Sequence, residues 1–249
     1  MRKAIFITVR SASTRLPEKC YKTIKNKPTI QYVIDQAKKS KLADIVVLCT
    51  TKNKEDDELC KIAIKSGITH FRGSERDKLM RWHKAAKMFN IGFFVTADGD
   101  DLFCSHELMD LAFQQYEATN VDFIEGEGVV CGSFTYGIKT KALKEVCCRK
   151  LTEETEMMWT YFKDTGVFKT AILENVPNIF KRSDIRMTLD YDDDLKFFTK
   201  VIEAMNKDEF NTRDVLELIN TKEDLKDINF YLQEAWSQNQ KEKTNLEFE

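Results

Sequence analysis

The chain has 249 residues, of which 42% are hydrophobic and 32% are charged, and its formal net charge is −2. This length and hydrophobic content are sufficient for a sizeable core in one or two domains. The near-neutral charge gives no reason to expect nucleic acid or an anionic membrane surface as a partner, and no apolar run approaches the ~20 residues that span a bilayer.

The seven cysteines are odd in number and lack regular spacing, so they do not resemble the framework of a disulfide-stabilised secreted domain. The first residues lead directly into a short apolar run and show no signal-peptide cleavage pattern. We therefore expect a cytoplasmic protein with reduced cysteines.

The most informative segment begins with the apolar run from Ile5 to Val9, which predicts a buried strand. A loop of small residues follows and carries the cations Arg10, Arg15 and Lys19. In open α/β sheets, phosphorylated ligands bind where such loops leave the carboxyl ends of strands. Arg holds two phosphate oxygens with its planar fork, and Lys supplies a point charge. The alternative interpretation is a solvated surface loop with scattered charges.

Hydrophobic periodicity predicts that strands and helices alternate along the rest of the chain. The predicted strands lie at about 45–49, 70–71, 93–96 and 122–124, with further candidates at 132–139, 168–173 and 185–189. The predicted helices lie at about 29–40, 55–65, 77–88, 106–118, 140–146 and 154–163, and 191–236 is helical and amphipathic. This pattern predicts an α/β fold whose mostly parallel sheet is covered on both faces. We expect a single domain at 1–237 and a polar, partly disordered tail at 238–249.

Four blocks of the sequence resemble the motifs of cytidylyltransferases. Arg-Ser-Ala-Ser-Thr-Arg-Leu-Pro-Glu-Lys at 10–19 is similar to their A-R-x-x-S-T-R-L-P-x-K, and Phe-Arg-Gly-Ser-Glu-Arg-Asp-Lys-Leu at 71–79 is similar to F-R-G-S-E-x-D-x-L. Ala-Asp-Gly-Asp at 97–100 resembles T-G-D, and Arg-Met-Thr-Leu-Asp-Tyr at 186–191 resembles R-L-T-x-D-Y. The blocks follow in the family's order. The family includes the spore-coat polysaccharide group and the 3-deoxy-manno-octulosonate and acylneuraminate cytidylyltransferases.

The resemblance implies a three-layer Rossmann-like nucleotidyltransferase fold with a small inserted dimerisation arm at about 130–180, and therefore a homodimer. It implies that CMP passes from CTP to a small-molecule acceptor, either a sugar acid, a phosphate or a phosphonate, with release of pyrophosphate for surface-glycan or phosphonate biosynthesis. Arg15 and Lys19, together with Asp100, would be catalytic. The residues that the resemblance places at the nucleotide are Arg10, Ser13, Arg15, Lys19, Ser74, Asp77 and Asp98.

Two carboxylates complete the expected site. An attack on an α-phosphoryl group requires neutralisation of its negative oxygens, and Mg²⁺ prefers one or two carboxylates together with phosphates and waters. Asp100 follows the strand predicted at 93–96, and Asp190 follows the candidate at 185–189. If both strands lie in one sheet, the two carboxylates meet at its edge, and the resemblance assigns Mg²⁺ to this pair. The run of Asp and Gly around Asp100 is also typical of an ordinary turn.

Several positions depart from the family pattern. Ala12 and Glu18 stand where Gly is usual, and the charge of Glu18 should point away from the triphosphate. Leu102 replaces a usual Pro. Asp98 replaces Thr or Gln, so it is an extra metal contact, a base for the acceptor or the mark of an unusual acceptor. Acceptor contacts are expected within 125–137, which matches no sugar-acid pattern, and the acceptor therefore stays open.

Other features are open to two interpretations or carry no site. Arg186 either contacts the acceptor or pairs with a neighbouring Asp, and the acidic residues after Tyr191 are expected to cap the following helix. His70, His83 and His106 have no nearby Cys or His at zinc-ligand spacing. The chain contains neither a G-x-x-x-x-G-K-[ST] nor a G-x-G-x-x-G motif, which argues against P-loop NTPases and dinucleotide oxidoreductases.

Two other functions remain as alternatives. The Asp-Gly-Asp run at 98–100 also fits the D-x-D of metal-dependent glycosyltransferases that use nucleotide sugars. Such enzymes do not need Arg10, Arg15 and Lys19 after the first strand. The second alternative is a nucleotide-binding homologue that has lost its chemistry, and retention of both candidate metal carboxylates argues against it.

Overall fold

The computed structural model describes residues 1–242, 244 and 246–249. The strands within these residues are β1 (Arg2–Thr8), β2 (Thr23–Ile24), β3 (Lys27–Pro28), β4 (Ile45–Thr51), β5 (Thr69–Gly73), β6 (Ile91–Asp98), β7 (Phe123–Glu125), β8 (Tyr136–Lys139) and β9 (Thr170–Ile172). The α-helices are α1 (Thr29–Ala37), α2 (Asp57–Lys65), α3 (Lys78–Met88), α4 (His106–Thr119), α5 (Thr140–Arg149), α6 (Thr160–Lys163), α7 (Asp192–Ala204), α8 (Thr212–Thr221), α9 (Asp224–Asp227) and α10 (Gln233–Glu242).

Seven strands form one sheet in the order β5-β4-β1-β6-β8-β7-β9, and β2 pairs with β3 in a separate hairpin. β1 lies between β4 and β6 and runs parallel to both. β8 runs antiparallel to its two neighbours, β6 and β7, whereas the pairs β4–β5 and β7–β9 are parallel. The prediction of a mostly parallel sheet is confirmed. Because β1 and β6 run side by side, the loops after Thr8 and Asp98 leave the sheet at the same edge.

The alternation of side chains along β1 divides the core into two layers. Ile5 and Ile7 are fully buried in the cluster that also contains the apolar faces of α1, α2, α4, α7 and α8. Ala4 and Phe6 point to the opposite face and pack with α3 and α5. Helices therefore cover both faces of the sheet, as predicted, and every strand and helix predicted between residues 5 and 124 is found with its ends shifted by a few residues.

The helix predicted at 154–163 is wrong over most of its length, because only α6 is helical. The preceding residues are irregular, and their polar side chains make contacts across the chain instead. Glu154 forms an ion pair with Arg76, and the hydroxyl of Thr155 accepts from the backbone N–H of Leu79 at 3.1 Å. These tertiary contacts outweigh the local helical propensity.

The strand candidate at 132–139 is shortened to β8, which begins at Tyr136. Gly132 has a φ of +83°, and a Cβ at this position would lie 2.0 Å from the carbonyl oxygen of Met187. The carbonyl of Ser133 accepts from the N–H of Ser105 at 2.7 Å. The chain turns here in a conformation that only Gly adopts readily, so it cannot yet run as a strand.

The strand candidate at 185–189 is not part of the sheet. Arg186 forms a single parallel bridge with Cys131, and the N–H of Leu189 donates to the carbonyl of Asp100 at 2.9 Å. The segment is thus held by backbone hydrogen bonds to two loops rather than by a neighbouring strand. The expectation that Asp190 follows a strand of the same sheet as Asp100 is wrong.

At the end of the chain, the described residues include a helix and contacts with the rest of the domain. The predicted tail at 238–249 begins inside α10, and the ring of Phe248 lies 6.2 Å from that of Tyr161. The N–H of Glu249 donates to the carbonyl of Arg149 at 3.1 Å. Positions 243 and 245 lie outside the described residues. None of the helices in the described part of the chain combines the length and apolar character needed to span a bilayer.

Candidate active site

A cavity of about 850 Å³ opens at the sheet edge where β1 and β6 end. Its wall is formed by the loop after β1, the acidic turn after β6, the segment that leads into β8, and one face of α10. Ligand sites of α/β proteins lie at this edge. The sequence-predicted residues that line the cavity are Arg10, Ser13, Arg15, Lys19, Asp98, Asp100 and Asp190.

The loop after β1 starts at Arg10, whose guanidinium is held at the edge of the cavity. It donates to the carbonyl of Glu75 and to the carboxylate of Glu156, both at 3.3 Å. Ser13 lies farther along the loop and is half-buried. The predicted cationic loop therefore faces a cavity, which contradicts its interpretation as a plain solvated surface.

A buried carboxylate fixes the beginning of this loop. Asp56 is 1% exposed, and its Oδ1 accepts from the backbone N–H of Ser11 at 2.8 Å and from the Ser11 hydroxyl at 2.7 Å. Its Oδ2 accepts from the hydroxyls of Thr50 and Thr51 at 2.9 and 2.5 Å. The loop is thereby joined to the end of β4. Burial acts to raise the pKa of Asp56, but the hydrogen bonds from Thr51 and Ser11 outweigh it and hold the pKa below its ordinary value.

Lys19 joins the two carboxylates that the sequence predicts as metal ligands. Its Nζ donates to Oδ2 of Asp100 at 2.5 Å, to Oδ1 of Asp190 at 2.8 Å and to the carbonyl of Leu189 at 2.8 Å. Lys19 begins a 3₁₀ turn (Lys19–Tyr21) that follows Glu18. Glu18 has a φ of +53°, which explains why Gly suits this position, and its side chain is exposed.

Asp190 also pairs with Arg15, whose Nη2 lies 2.6 Å from the same Oδ1. Burial acts to raise the pKa of Asp190, but Lys19 and Arg15 outweigh it and hold the pKa below its usual range. Burial acts to lower the pKa values of Lys19 and Arg15, and in both cases Asp190 contributes to raising them above their ordinary values. All three groups are therefore charged at neutral pH.

The carboxylate pair fits a magnesium ion in its donor chemistry. Oxygens of Asp100 and Asp190 converge on the ammonium group of Lys19, so both carboxylates already face one shared cation. Mg²⁺ is bound by hard oxygen donors and needs only one or two carboxylates where phosphates supply further ligands. Among the residues that the structure describes, no group of three or more His, Cys, Asp or Glu side chains is placed to hold a metal.

Two further carboxylates lie in the acidic turn. Burial raises the pKa of Asp98. Among the neighbouring charges, Lys78 has the largest effect and acts to lower this pKa, whereas Asp100 acts to raise it. Burial together with Asp100 and Asp98 raises the pKa of Asp101 well above its usual value, against a hydrogen bond from Thr188. Asp98 and Lys78 both line the cavity, so Asp98 is available to a ligand.

Ser74 and Asp77, which the resemblance places at the nucleotide, do not line the cavity. Asp77 is 4% exposed, caps α3 by accepting from the N–H of Met80 at 3.0 Å, and pairs with Nζ of Lys150 at 2.6 Å. The hydroxyl of Ser74 accepts from the N–H of Asp77 at 3.1 Å. The structure thus gives both residues a part in the turn that starts α3.

Arg186 has a buried structural partner. It is 0% exposed, and its guanidinium donates to Asp194 at 2.9 and 3.2 Å. Asp194 also accepts from the backbone N–H groups of Asp190 and Tyr191 at 2.8 and 3.0 Å. Of the two interpretations of Arg186, the structure supports the ion pair with a neighbouring Asp, and this pair fixes the backbone that carries Asp190.

A family model for cytidylyltransferases matches residues 4–243, which include the cationic loop, the acidic turn and Asp190. The chain belongs to this family. It is therefore a CTP-dependent nucleotidyltransferase, as the sequence blocks predict.

Similar proteins span nearly the whole chain of this cytidylyltransferase. It is 27% identical over 228 residues to an uncharacterized protein of Methanocaldococcus jannaschii, with 90% of this chain and 92% of that protein covered. It is 23% identical to the spore coat polysaccharide biosynthesis protein SpsF of Bacillus subtilis, with 88% and 94% covered. A shorter match at 29% identity to 3-deoxy-manno-octulosonate cytidylyltransferase of Chloroherpeton thalassium covers 53% of this chain and 50% of that protein.

Solved structures show the same fold. A cytidylyltransferase from Leptospira borgpetersenii superposes with a TM-score of 0.80 at 26% identity, with 90% of this chain and 96% of that chain covered. The CMP:2-keto-3-deoxy-manno-octonic acid synthetase, solved with CTP, superposes with a TM-score of 0.60 at 13% identity, with 82% and 99% covered. At that lower identity the likeness concerns the fold alone.

Sequence reasoning missed two parts of the cytidylyltransferase site. The first is Asp56, for which the only signal is an acidic residue shortly after the Thr-Thr end of a predicted strand. The second is the face of α10 that lines the cavity at Trp236, Ser237, Gln240 and Lys241. The sequence of α10 is polar and carries no apolar stripe that would have predicted its contact with the domain.

Proposed function

We propose that this cytidylyltransferase transfers CMP from CTP to an anionic small molecule, either a sugar acid, a phosphate or a phosphonate, and releases pyrophosphate. Surface-glycan biosynthesis is the proposed context, since one relative is named for spore coat polysaccharide biosynthesis and others are named 3-deoxy-manno-octulosonate cytidylyltransferases. A cytoplasmic homodimer is part of the same proposal.

The observation that carries the proposal is the position of Lys19 between Asp100 and Asp190 in the cavity. A phosphate-binding cation and the two carboxylates proposed for the metal converge on one point. Nucleotidyl transfer needs this combination, because the triphosphate requires cations and the metal requires acidic ligands. The site of a metal-dependent glycosyltransferase needs the metal-binding carboxylates but not the cations of this loop.

The cations of the loop would act on the triphosphate. Arg10, Arg15 and Lys19 line one cavity, and charges fixed before the reaction stabilise the negative charge that develops on the leaving pyrophosphate. Asp100 and Asp190 would hold Mg²⁺, which when bound neutralises phosphoryl oxygens. Attack of an acceptor oxygen on the α-phosphorus forms the new oxygen–phosphorus bond and breaks the bond from the α-phosphorus to the oxygen that bridges to the β-phosphate, so that pyrophosphate leaves; an acceptor hydroxyl also gives up its proton.

The acceptor would occupy the wall of the cavity beside the end of β6 and the start of β8, which are neighbours in the sheet. That wall contains Asp98, Tyr136 and Trp159, all of which line the cavity. The rings of Tyr136 and Trp159 lie 6.5 Å apart in a stacked arrangement. We propose that Asp98 contacts the acceptor on this side, since after burial the charge of Asp98 has the largest effect in raising the pKa of the neighbouring Tyr136.

Ligand-dependent stability and product release test the function. With Mg²⁺ present, CTP should raise the melting temperature more than ATP, GTP or UTP, because a ligand that binds only the native state stabilises it. A panel of sugar acids, phosphates and phosphonates should then show pyrophosphate release with CTP. A clear preference for a purine triphosphate, or for a nucleotide sugar over CTP, would contradict the proposal.

A further inference from the structure

The face of α10 covers one side of the cavity and is attached to residues next to the carboxylate pair. Trp236, Ser237, Gln240 and Lys241 line the cavity. Arg15 donates to Oδ1 of Asn239 at 3.5 Å. Because Arg15 also pairs with Asp190, α10 lies directly beside the loop cations that we propose bind the triphosphate.

Arg186 provides two further attachments of α10. Its guanidinium donates to Oε1 of Gln233 at 3.2 Å and lies 5.1 Å from the ring of Trp236. No residue of α10 is fully buried, so apolar packing contributes little to its position. Polar contacts with Arg15 and Arg186 therefore hold the helix at the cavity.

Three polar side chains on the cavity face of α10 have no partner within the described residues. Ser237, Gln240 and Lys241 make no side-chain hydrogen bond or ion pair there. On the face away from the cavity, by contrast, Gln238 donates to Glu242 at 3.1 Å. A hydroxyl, an amide and an ammonium group at spacings of three and four residues share one side of a helix.

These groups match the chemistry of a phosphate chain. Phosphate oxygens accept hydrogen bonds from hydroxyl and amide donors and pair with ammonium groups. Resting on the proposed function, we propose that Ser237, Gln240 and Lys241 bind the β- and γ-phosphates of CTP and the pyrophosphate that is released. Helix α10 thus adds to the phosphate contacts proposed for Arg15 and Lys19.

The test compares ligands that do and do not carry the terminal phosphates. Binding of CTP, CMP and pyrophosphate is measured by isothermal titration calorimetry with Mg²⁺ for the wild type and for Lys241→Ala. We expect about tenfold weaker binding of CTP and pyrophosphate by Lys241→Ala, as for loss of one charge-assisted contact, and less than twofold change for CMP. A Ser237→Ala/Gln240→Ala variant should follow the same pattern.

The matched control is Gln238→Ala, which alters the same helix on its other face and should bind all three ligands like the wild type. CTP affinity of Lys241→Ala within twofold of the wild type would overturn the inference while leaving the proposed function intact. Equal weakening of CTP and CMP would also overturn it, since the helix would then contact the nucleoside. A wild type that binds no CTP would contradict the proposed function itself.

Discussion

Nζ of Lys19 lies 2.8 Å from Oδ1 of the buried Asp190, although the two residues are 171 positions apart in the chain. The contact closes the cationic loop onto the segment that carries the second candidate metal ligand. Lys19 also pairs with Asp100 and Asp190 also pairs with Arg15, so removal of either residue weakens the compensation of the buried charge that remains. The two residues are therefore expected to affect both stability and activity.

Replacement of Lys19 by Ala should therefore lower turnover of CTP by about 10²-fold or more, because a positioned charge at a transferring phosphoryl group is lost. Steady-state pyrophosphate release measures this. Lys52→Ala, at an exposed residue outside the cavity, should leave turnover unchanged. Turnover near that of the wild type in Lys19→Ala would mean that the ammonium serves only the fold.

The acidic pair should govern the magnesium requirement. Asp100→Asn and Asp190→Asn keep the side-chain shape but remove a formal charge from a site of hard donors, so turnover should fall by orders of magnitude and the remaining activity should need more Mg²⁺. CTP should still bind through the cations of the loop. Titration of turnover and of CTP affinity against Mg²⁺ measures both effects.

The exposed Asp192 provides the control for this pair, since Asp192→Asn should have the metal dependence of the wild type. A metal dependence that is unchanged in Asp190→Asn would limit Asp190 to its pairing with Arg15 and Lys19. The two-carboxylate site would then be wrong.

The local sequence pattern was sufficient to predict β1, β6 and the loops that follow them. The cationic loop that starts at Arg10 and the acidic turn at Asp100 both follow buried strands of high β propensity, and parallel pairing brings the strand ends together. Motifs at strand ends are therefore readable from sequence, because the fold class alone fixes which sheet edge they share.

The parts that were not predicted depend on contacts between distant segments. Asp190 reaches the site without a strand, because Leu189 bonds to the carbonyl of Asp100 and Asp194 holds the backbone of Asp190. The segment before α6 loses its predicted helix to contacts of Glu154 and Thr155. No periodic pattern records such hydrogen bonds, since they depend on which loops meet in three dimensions.

The buried ion pair of Arg186 and Asp194 should be important for stability. Asp194→Ala leaves the guanidinium of a 0% exposed arginine with the neutral Gln233 at 3.2 Å and a longer contact to Asp190 at 3.6 Å, and loss of a partner from a buried pair destabilises by about 3–5 kcal/mol. Urea unfolding measures the loss. Asp193→Ala, whose partner Lys196 is largely exposed, should change stability by less than about 1 kcal/mol. Equal effects of the two substitutions would contradict this assignment.

Asp56 should position the nucleotide-binding loop without touching the ligand, since it does not line the cavity. In the wild type, the backbone N–H groups of Ser11 and Thr51 each donate to a carboxylate oxygen of Asp56. In Asp56→Asn, an amide NH₂ group replaces one of these oxygens and cannot accept the hydrogen bond. An unsatisfied buried polar group destabilises by about 1–3 kcal/mol, and a displaced loop should raise KM for CTP more than it lowers kcat. Asp57→Asn, next in the chain and paired with Arg72 at the surface, is the control and should have little effect.

The contribution of Asp56 should depend on pH in a defined direction. Burial acts to raise its pKa in the folded protein, but the hydrogen bonds from Thr51 and Ser11 outweigh it, so the pKa lies below that of the unfolded chain. A group of this kind contributes its full stability above the unfolded-state pKa of about 4, and the contribution is lost as the pH falls through the folded-state pKa. The difference in unfolding free energy between the wild type and Asp56→Asn should therefore be constant from about pH 6 to 7 and should shrink below about pH 4. Urea unfolding of both proteins across this range measures it, and a difference that grows on acidification would show that the hydrogen bonds to Ser11 and Thr51 do not favour the carboxylate.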